Sequence, residues 1–427
     1  MKTMFMTGAC SALLAVSCLS QQVWKVNSQG GPGSHFTDLP QAVAAASPGD
    51  EIWVYNDVLG PGASYYTAPV IDKPLRIKGF TVTPSGSGPT HANIYGPLVI
   101  LDIPNGQRVE ISGLSIVALS LALPAGIVVL DCQGDILLED VYLDNDGSPT
   151  TFARFERCAN VVLRGCALRL GGYPVTVVDS QVLLTTTAIH HTPPIVWGPP
   201  LAYAATTEGI RVINSTVTSV GSVIWGAHRV QTPWGTGNYG SQPAVVVESG
   251  VFRVGPATYL LGGLNPPWSP APAHGYHVIN PTVGSIRQDA RGTIVNPPPT
   301  PSVFYEYIAA TFHSWVVANE SFGVTVIGPP SGFALMLLGD WQPNTPTPLG
   351  MLDIDPTTAF LVDVVPLSTS SSSAALGGVY AWTLNCPITA PIAKAFAFQA
   401  LTLAPNGTLG LTIASPLTVG WPHGVTP

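Results

Sequence analysis

One eight-residue pattern, apolar–x–apolar–x–x–apolar–x–apolar, recurs through the first two thirds of this chain. It begins at Leu75, Ile77, Phe80, Val82 and returns at Val109, Ile111, Leu114, Ile116. Ile136, Leu138, Val141, Leu143 follow, then Val161, Leu163, Cys166, Leu168 and a weaker Val182, Leu184, Thr187, Ile189. Later copies decay, as Ile210, Val212, Ser215, Val217, then Val245, Val247, Gly250, Phe252 and Tyr276, Val278, Pro281, Val283. The second to fifth copies start at 109, 136, 161 and 182, so they are separated by 27, 25 and 21 residues. Repeats of that length are the mark of solenoids, in which each unit buries its apolar face only by stacking on its neighbours.

The spacing selects strand over helix. On a helix the four positions fall at about 0°, 200°, 140° and 340°, which makes no single apolar stripe. On strands, alternation directs two residues inward, one extra residue turns a corner, and alternation resumes. Burying one such side chain stabilises by roughly 1.5–3 kcal/mol. Ordering the backbone opposes it at about 1–2 kcal/mol per residue. Several stacked coils are therefore needed before the chain gains.

This pattern, from about Asp38 to Val283, resembles the pectin-lyase-like superfamily of right-handed parallel β-helices. The N-terminal run supports the likeness: a short helix from Asp38 to Ala46, capped by Asp38 with Gln41 three residues on, then "PGDEIWVY" and "KPLRIKGF". The resemblance implies that the helix covers one end of the apolar column. That fold hosts lyases, hydrolases, adhesins and inert scaffolds, so it does not name a chemistry.

The expected fold is all-β: a right-handed parallel β-helix solenoid with a short N-terminal capping helix, followed by a small C-terminal β-sandwich. The expected boundaries are a signal peptide at 1–20, the solenoid at 21–295, a Pro-rich linker at 296–301 and the sandwich at 302–427. Beyond the linker, strands are expected at Phe304–Ile308, Val324–Ile327, Ala334–Leu338, Phe360–Val365, Phe396–Leu403 and Leu409–Ile413. The run from about Leu361 resembles a C-terminal module of secreted planctomycete-type proteins.

Only 9% of the 427 residues are charged, the net charge is −8, and Gly and Pro number 44 and 42. No Lys/Arg cluster offers a nucleic-acid footprint. Lys2, the apolar stretch around Ala12–Val16 and the small residues Ala15 and Ser17 read as an export leader too short to span a bilayer. Cys18 follows the expected cleavage site, and Ala15-Val16-Ser17-Cys18 resembles a bacterial lipobox with Ala where Leu is expected. Secretion or display on a bacterial surface follows, as a monomer, with a lipid anchor at Cys18 as the alternative to free release. Export makes a Cys132–Cys158 bridge conceivable near equivalent corners of adjacent coils, one residue out of strict register; Cys166 packs inward. No CxxC pair suggests zinc.

Two site readings compete. Asp131 and Glu156 would be equivalent on adjacent coils, with Asp144, Asp146, Arg164 and Arg169 close by; such a set would suit Ca²⁺ or an acidic sugar. The same residue types fill turns for local reasons, which is the reading favoured. His190 and His191, followed by Pro193-Pro194, have no Glu at metal-site spacing and read as surface loop. The Asp-Asp and Gly-His-Gly motifs of polygalacturonases are absent. The better lead is three long insertions, His190–Thr207, Thr218–Ala244 and Arg253–Gly275. They carry Trp197, Tyr203, Trp225, His228, Arg229, Trp234, Tyr239, Trp268 and His274. If they share one side of the solenoid, they form a wall of rings suited to stacking on sugars. The expectation is a non-catalytic polysaccharide binder or surface scaffold. The alternative is a lyase or glycoside hydrolase using Asp131, Glu156, Arg164 or His228.

Overall fold

The structure is a computed structural model. It describes residues 22–57, 65–82, 91–117, 126–144, 151–191, 208–227, 241–255, 257–263, 273–288, 292–295, 303–305, 309–311, 315–317, 321–329, 331–347, 349–367, 378–385, 395–412 and 415–420. The leader, Cys18 and Cys386 lie outside these ranges. No helix among the described residues is long and apolar enough to cross a membrane.

Three parallel sheets of 11, 9 and 8 strands run along the N-terminal two thirds, and from Glu51–Asp57 to Thr293–Val295 the chain visits them in rotation. One coil illustrates the cycle: Arg108–Ser112 in the first sheet, Leu114–Val117 in the second, Gly126–Leu130 in the third. The next coil repeats it with Asp135–Glu139, Tyr142–Asp144 and Phe152–Glu156. Every neighbouring pair within these three sheets is parallel and joins a strand to its counterpart one coil away, as in Ile136↔Val109 and Leu138↔Ile111. This is a parallel β-helix.

The inward residues of copies two to five are all buried, including Val109, Ile111, Leu114 and Ile116 and their counterparts through Ile189. Two corners explain the pattern's broken alternation. Between first and second sheets one residue takes a left-handed conformation in each coil: Gly113, Asp140, Gly165, Thr186 and Gly221. Its N–H bonds to the next coil, Gly113 N to Glu139 O at 3.1 Å and Asp140 N to Arg164 O at 2.8 Å. Between third and first sheets Asp102, Asp131, Arg157, Asp179 and Asn214 do the same. Asp and Asn tolerate this conformation better than most side chains.

The flanking copies are displaced from their expected places. Phe80 does not turn inward at a corner. It lies within the long strand Arg76–Val82 and stacks on Tyr55, and Ala92 and Ile94 take the inward second-sheet positions. Ile210 and Val212 belong to the third sheet, as do Val245, Val247, Tyr276 and Val278. The true continuation is Val217, Ser219, Ser222, Ile224 and then Phe252, Val254, Thr258, Leu260, all buried. Polar residues at inward positions hide that register, and hydrogen bonds make them tolerable: Ser222 Oγ accepts from Thr187 N at 3.1 Å, and Thr258 Oγ1 donates to Ser219 O at 2.8 Å.

The N-terminal end is closed by the helix Leu39–Ala45, which buries Leu39, Ala42 and Val43. Asp38 caps it, its Oδ1 accepting from Leu39 N and from Thr67 N, both at 2.8 Å. The first sheet ends with Val303–Tyr305, beyond the Pro-rich stretch. Residues from 309 onward form two mostly antiparallel sheets, one of three strands and one of seven. Val324 and Val326 of the smaller share a core with Ala334, Met336, Val365, Phe398 and Ala400 of the larger, the packing of a small sandwich. Its strands include Ser321–Gly328, Phe333–Thr347, Phe360–Pro366 and Ala395–Leu403. The strands Gly350–Ile354, Gly378–Asn385 and Ser415–Gly420 were not expected from the sequence.

Candidate functional site

Of the expected aromatic wall, only Trp225 and His274 are described; Trp197, Tyr203, His228, Arg229, Trp234, Tyr239 and Trp268 lie outside the described residues. Connectivity nonetheless gives the insertions a common origin. Segments 192–207, 228–240 and 264–272 each join a second-sheet strand to the following third-sheet strand. The insertions are also shorter than expected, because their ends are strand. Trp225 is in the second-sheet strand Val223–Trp225 and His190 in Ala188–His191.

Parallel register converts sequence distance into contact on the outer face of the second sheet. Tyr95 pairs with Val117, Val117 with Asp144, and Arg169 with His190. Arg169 Nη1 lies 3.4 Å from Asp144 Oδ1, and the His190 ring meets Trp225 edge-on at 5.7 Å. The result is an outward column Tyr95–Val117–Asp144–Arg169–His190–Trp225 with about 4.8 Å between rungs. Beside it, Tyr65 and Tyr95 have ring centres 4.3 Å apart, and His91 and Tyr142 4.1 Å apart. Tyr259, further along, is exposed. Burial and its contact with Tyr65 hold the Tyr95 hydroxyl well above the usual phenol range. This face offers flat rings and one loosely paired acid–base couple.

Sequence reading did not find His91. Its Nε2 lies 3.1 Å from Asp140 Oδ2, although two coils separate the residues. Ala92 pairs with Leu114, so Gly113 is the rung beneath His91 and Asp140 the one beyond. A glycine there leaves the His91 ring free to reach across.

The carboxylate reading is corrected by register. Leu130, not Asp131, faces Glu156, and Asp131 stacks on Arg157. Arg157 donates from Nε and Nη2 to Asp131 at 2.5 and 2.8 Å and also pairs with Glu156. The hydrogen bond from Arg157 holds the Asp131 carboxyl below the usual range and raises Arg157 in turn. Glu156 additionally accepts from Arg154 Nε at 2.8 Å. Arg164 lies at the far end of the strand Asn160–Arg164, roughly 13 Å further on. There it pairs with Glu139, where burial pushes the carboxyl up and the guanidinium down. Asp131 and Glu156 are therefore joined through Arg157, while Arg164 pairs elsewhere. Among the described residues no group of three or more His, Cys, Asp or Glu could hold a metal ion. Asp146 lies outside them.

His191 is not surface loop. It is buried at the end of its strand, with Nδ1 3.0 Å from Gly171 O and Nε2 3.0 Å from Glu208 O. Each nitrogen lies within hydrogen-bond distance of a backbone carbonyl, and the one bearing the N–H donates.

Comparison with known protein families finds no matching model, and comparison with curated proteins finds no match.

Proposed function

We propose that this protein is an exported, monomeric β-helix protein of pectin-lyase-like kinship that binds a polysaccharide without cleaving it, on or near a bacterial surface. The leader features at Lys2 and Ala12–Ser17 support export, and Cys18 supplies a point for lipid attachment. The carrying observation is the in-register outward column through Arg169, His190 and Trp225, bordered by the Tyr65–Tyr95 pair. Flat rings stack on the apolar faces of sugars, and Arg and His hydrogen-bond their polar edges. Rungs about 4.8 Å apart present these groups along the solenoid as an extended polymer would need.

Residues 21–427 are tested by retardation in gels containing neutral or acidic polysaccharides, with products analysed in parallel. Retardation without chain shortening, weakened about tenfold by Trp225→Ala, is the expected result. Full affinity in Trp225→Ala would remove this face from consideration.

The second reading is a polysaccharide lyase or hydrolase. It is favoured by one observation, the His91 imidazole held by Asp140 against Tyr142, because an imidazole oriented by a carboxylate is the arrangement general acid–base catalysis uses. Chain shortening that disappears in His91→Ala would establish it over simple binding.

A further inference from the structure

Each of the two inner corner columns mixes aliphatic side chains with small polar and sulfur ones. At the third-to-first corner the residue after each left-handed turn points inward: Ile103, Cys132, Cys158, Ser180 and Ser215 in successive coils, all buried. Cys132 and Cys158 are adjacent rungs in strict register. The third-sheet ladder Gly126↔Phe152 through Leu130↔Glu156 runs at a shift of 26 residues, the same as that from Cys132 to Cys158. Ala159 N donates to Cys132 O at 2.8 Å and locks the rungs together. Stacked parallel rungs lie about 4.8 Å apart, inside the roughly 4.4–6.8 Å Cα separation that a disulfide spans. Both thiols are free in this structure.

We propose that Cys132 and Cys158 are the site of a disulfide that staples adjacent coils when the chain folds in an oxidising compartment. Each thiol now lies against the backbone of the same corner, Cys132 Sγ 3.2 Å from Leu130 O and Cys158 Sγ 3.3 Å from Glu156 O. The thiolate is the attacking species. The oxidant is an exported thiol–disulfide oxidoreductase, attacked while the coils are still open. Its S–S bond breaks as a mixed disulfide forms, and the second cysteine displaces it. The new Sγ–Sγ bond costs the pair two protons and two electrons, which leave with the oxidant as its dithiol. Cys166 belongs to the other inner column, between Val141 and Thr187, and has no cysteine rung beside it.

The test is full-length protein refolded with oxidised glutathione, denatured without reductant, alkylated and digested with trypsin. Cleavage after Arg108, Arg154, Arg157 and Arg164 places the two cysteines in separate peptides, 109–154 and 158–164. The expected result is those two peptides linked, an intact mass about 2 Da below the reduced form, and Cys166 alkylated. Cys132→Ser and Cys158→Ser should each abolish the link. Both should fold, because serine already fills this rung at Ser180 and Ser215. Alkylation of Cys132 and Cys158 in the unreduced protein would overturn the proposal, as would a bridge from either to Cys166 or Cys386.

Discussion

Thr186 turns the same first-to-second corner as Gly165 above it and Gly221 below, at φ +48°. A β-branched side chain in the left-handed region is strained, at about 1–2 kcal/mol relative to glycine. Part of that is recovered by the Thr186 hydroxyl, which donates to Thr185 O at 2.8 Å. Thr186→Gly should therefore raise stability modestly, by about 0.5–1 kcal/mol after the added freedom of the unfolded chain. Gly113→Ala should do the reverse. It forces a Cβ into the same conformation and to within 2.8 Å of the Gly79 carbonyl oxygen, for a loss of about 2 kcal/mol or more. Denaturant midpoints of the two variants against the parent decide it. A stabilising Gly113→Ala would mean that the corner backbone is misdescribed. The same scale shows where sequence reading succeeds. Four copies were legible because every inward position is apolar, or small like Cys166 and Thr187, and the extra residue always falls at the corner. Ser219, Ser222 and Thr258 broke the pattern because a hydrogen bond, rather than apolarity, makes them fit inside.

At the scale of elements, the N-terminal cap depends on two aspartates. Asp38 joins the helix to strand Tyr65–Thr67, and Asp50 joins the chain before and after the helix. The buried Asp50 carboxylate accepts from Gln22 N at 3.0 Å, Trp24 Nε1 at 2.9 Å and Ser47 N at 2.8 Å. Removing it strands three donors in a dry setting, so Asp50→Ala should cost about 3 kcal/mol. Asp38→Ala should cost about 1–2 kcal/mol as a lost cap with one cross-strand bond. Thermal unfolding of both variants tests the order, and equal losses would contradict it. The cap was legible because helix signals are local. The aromatic face was only half legible. The insertion pattern marks Trp225 but places it in a loop, and nothing in the pattern marks Tyr65, Tyr95 or Tyr142. Their spacings along the chain carry no period, and only coil register brings them to one face. The Asp131–Glu156 pairing failed by a single residue. A shift of 25 holds in the first sheet, where Asp135 meets Asn160, but the third sheet runs at 26.

On the scale of the whole molecule, a solenoid is held by nearest-neighbour contacts, so its ends should loosen before its middle. Here the ends differ. The N-terminal column is closed by the helix Leu39–Ala45 over Val26, Ile52 and Ile71. At the other end, Tyr276–Val278 and Thr293–Val295 are the last described strands of the third and second sheets. Ile279, Val283 and Val295 are exposed there. Amides of end strands exchange with water through small local openings, whereas those of the central coils need several neighbours to part together. Hydrogen exchange followed by mass spectrometry should therefore show protection highest across residues 109–191 and falling steadily toward 276–295, with 23–57 remaining protected. Asp50→Ala should abolish that asymmetry by releasing the first coils without changing the far end. If residues 276–295 exchange as slowly as the centre, that end is as firmly held as the middle and the nearest-neighbour account fails there. If 23–57 exchange first in the parent, the helix does not act as a cap. Either result would leave the coil register intact, because the register rests on the inward columns and not on the ends.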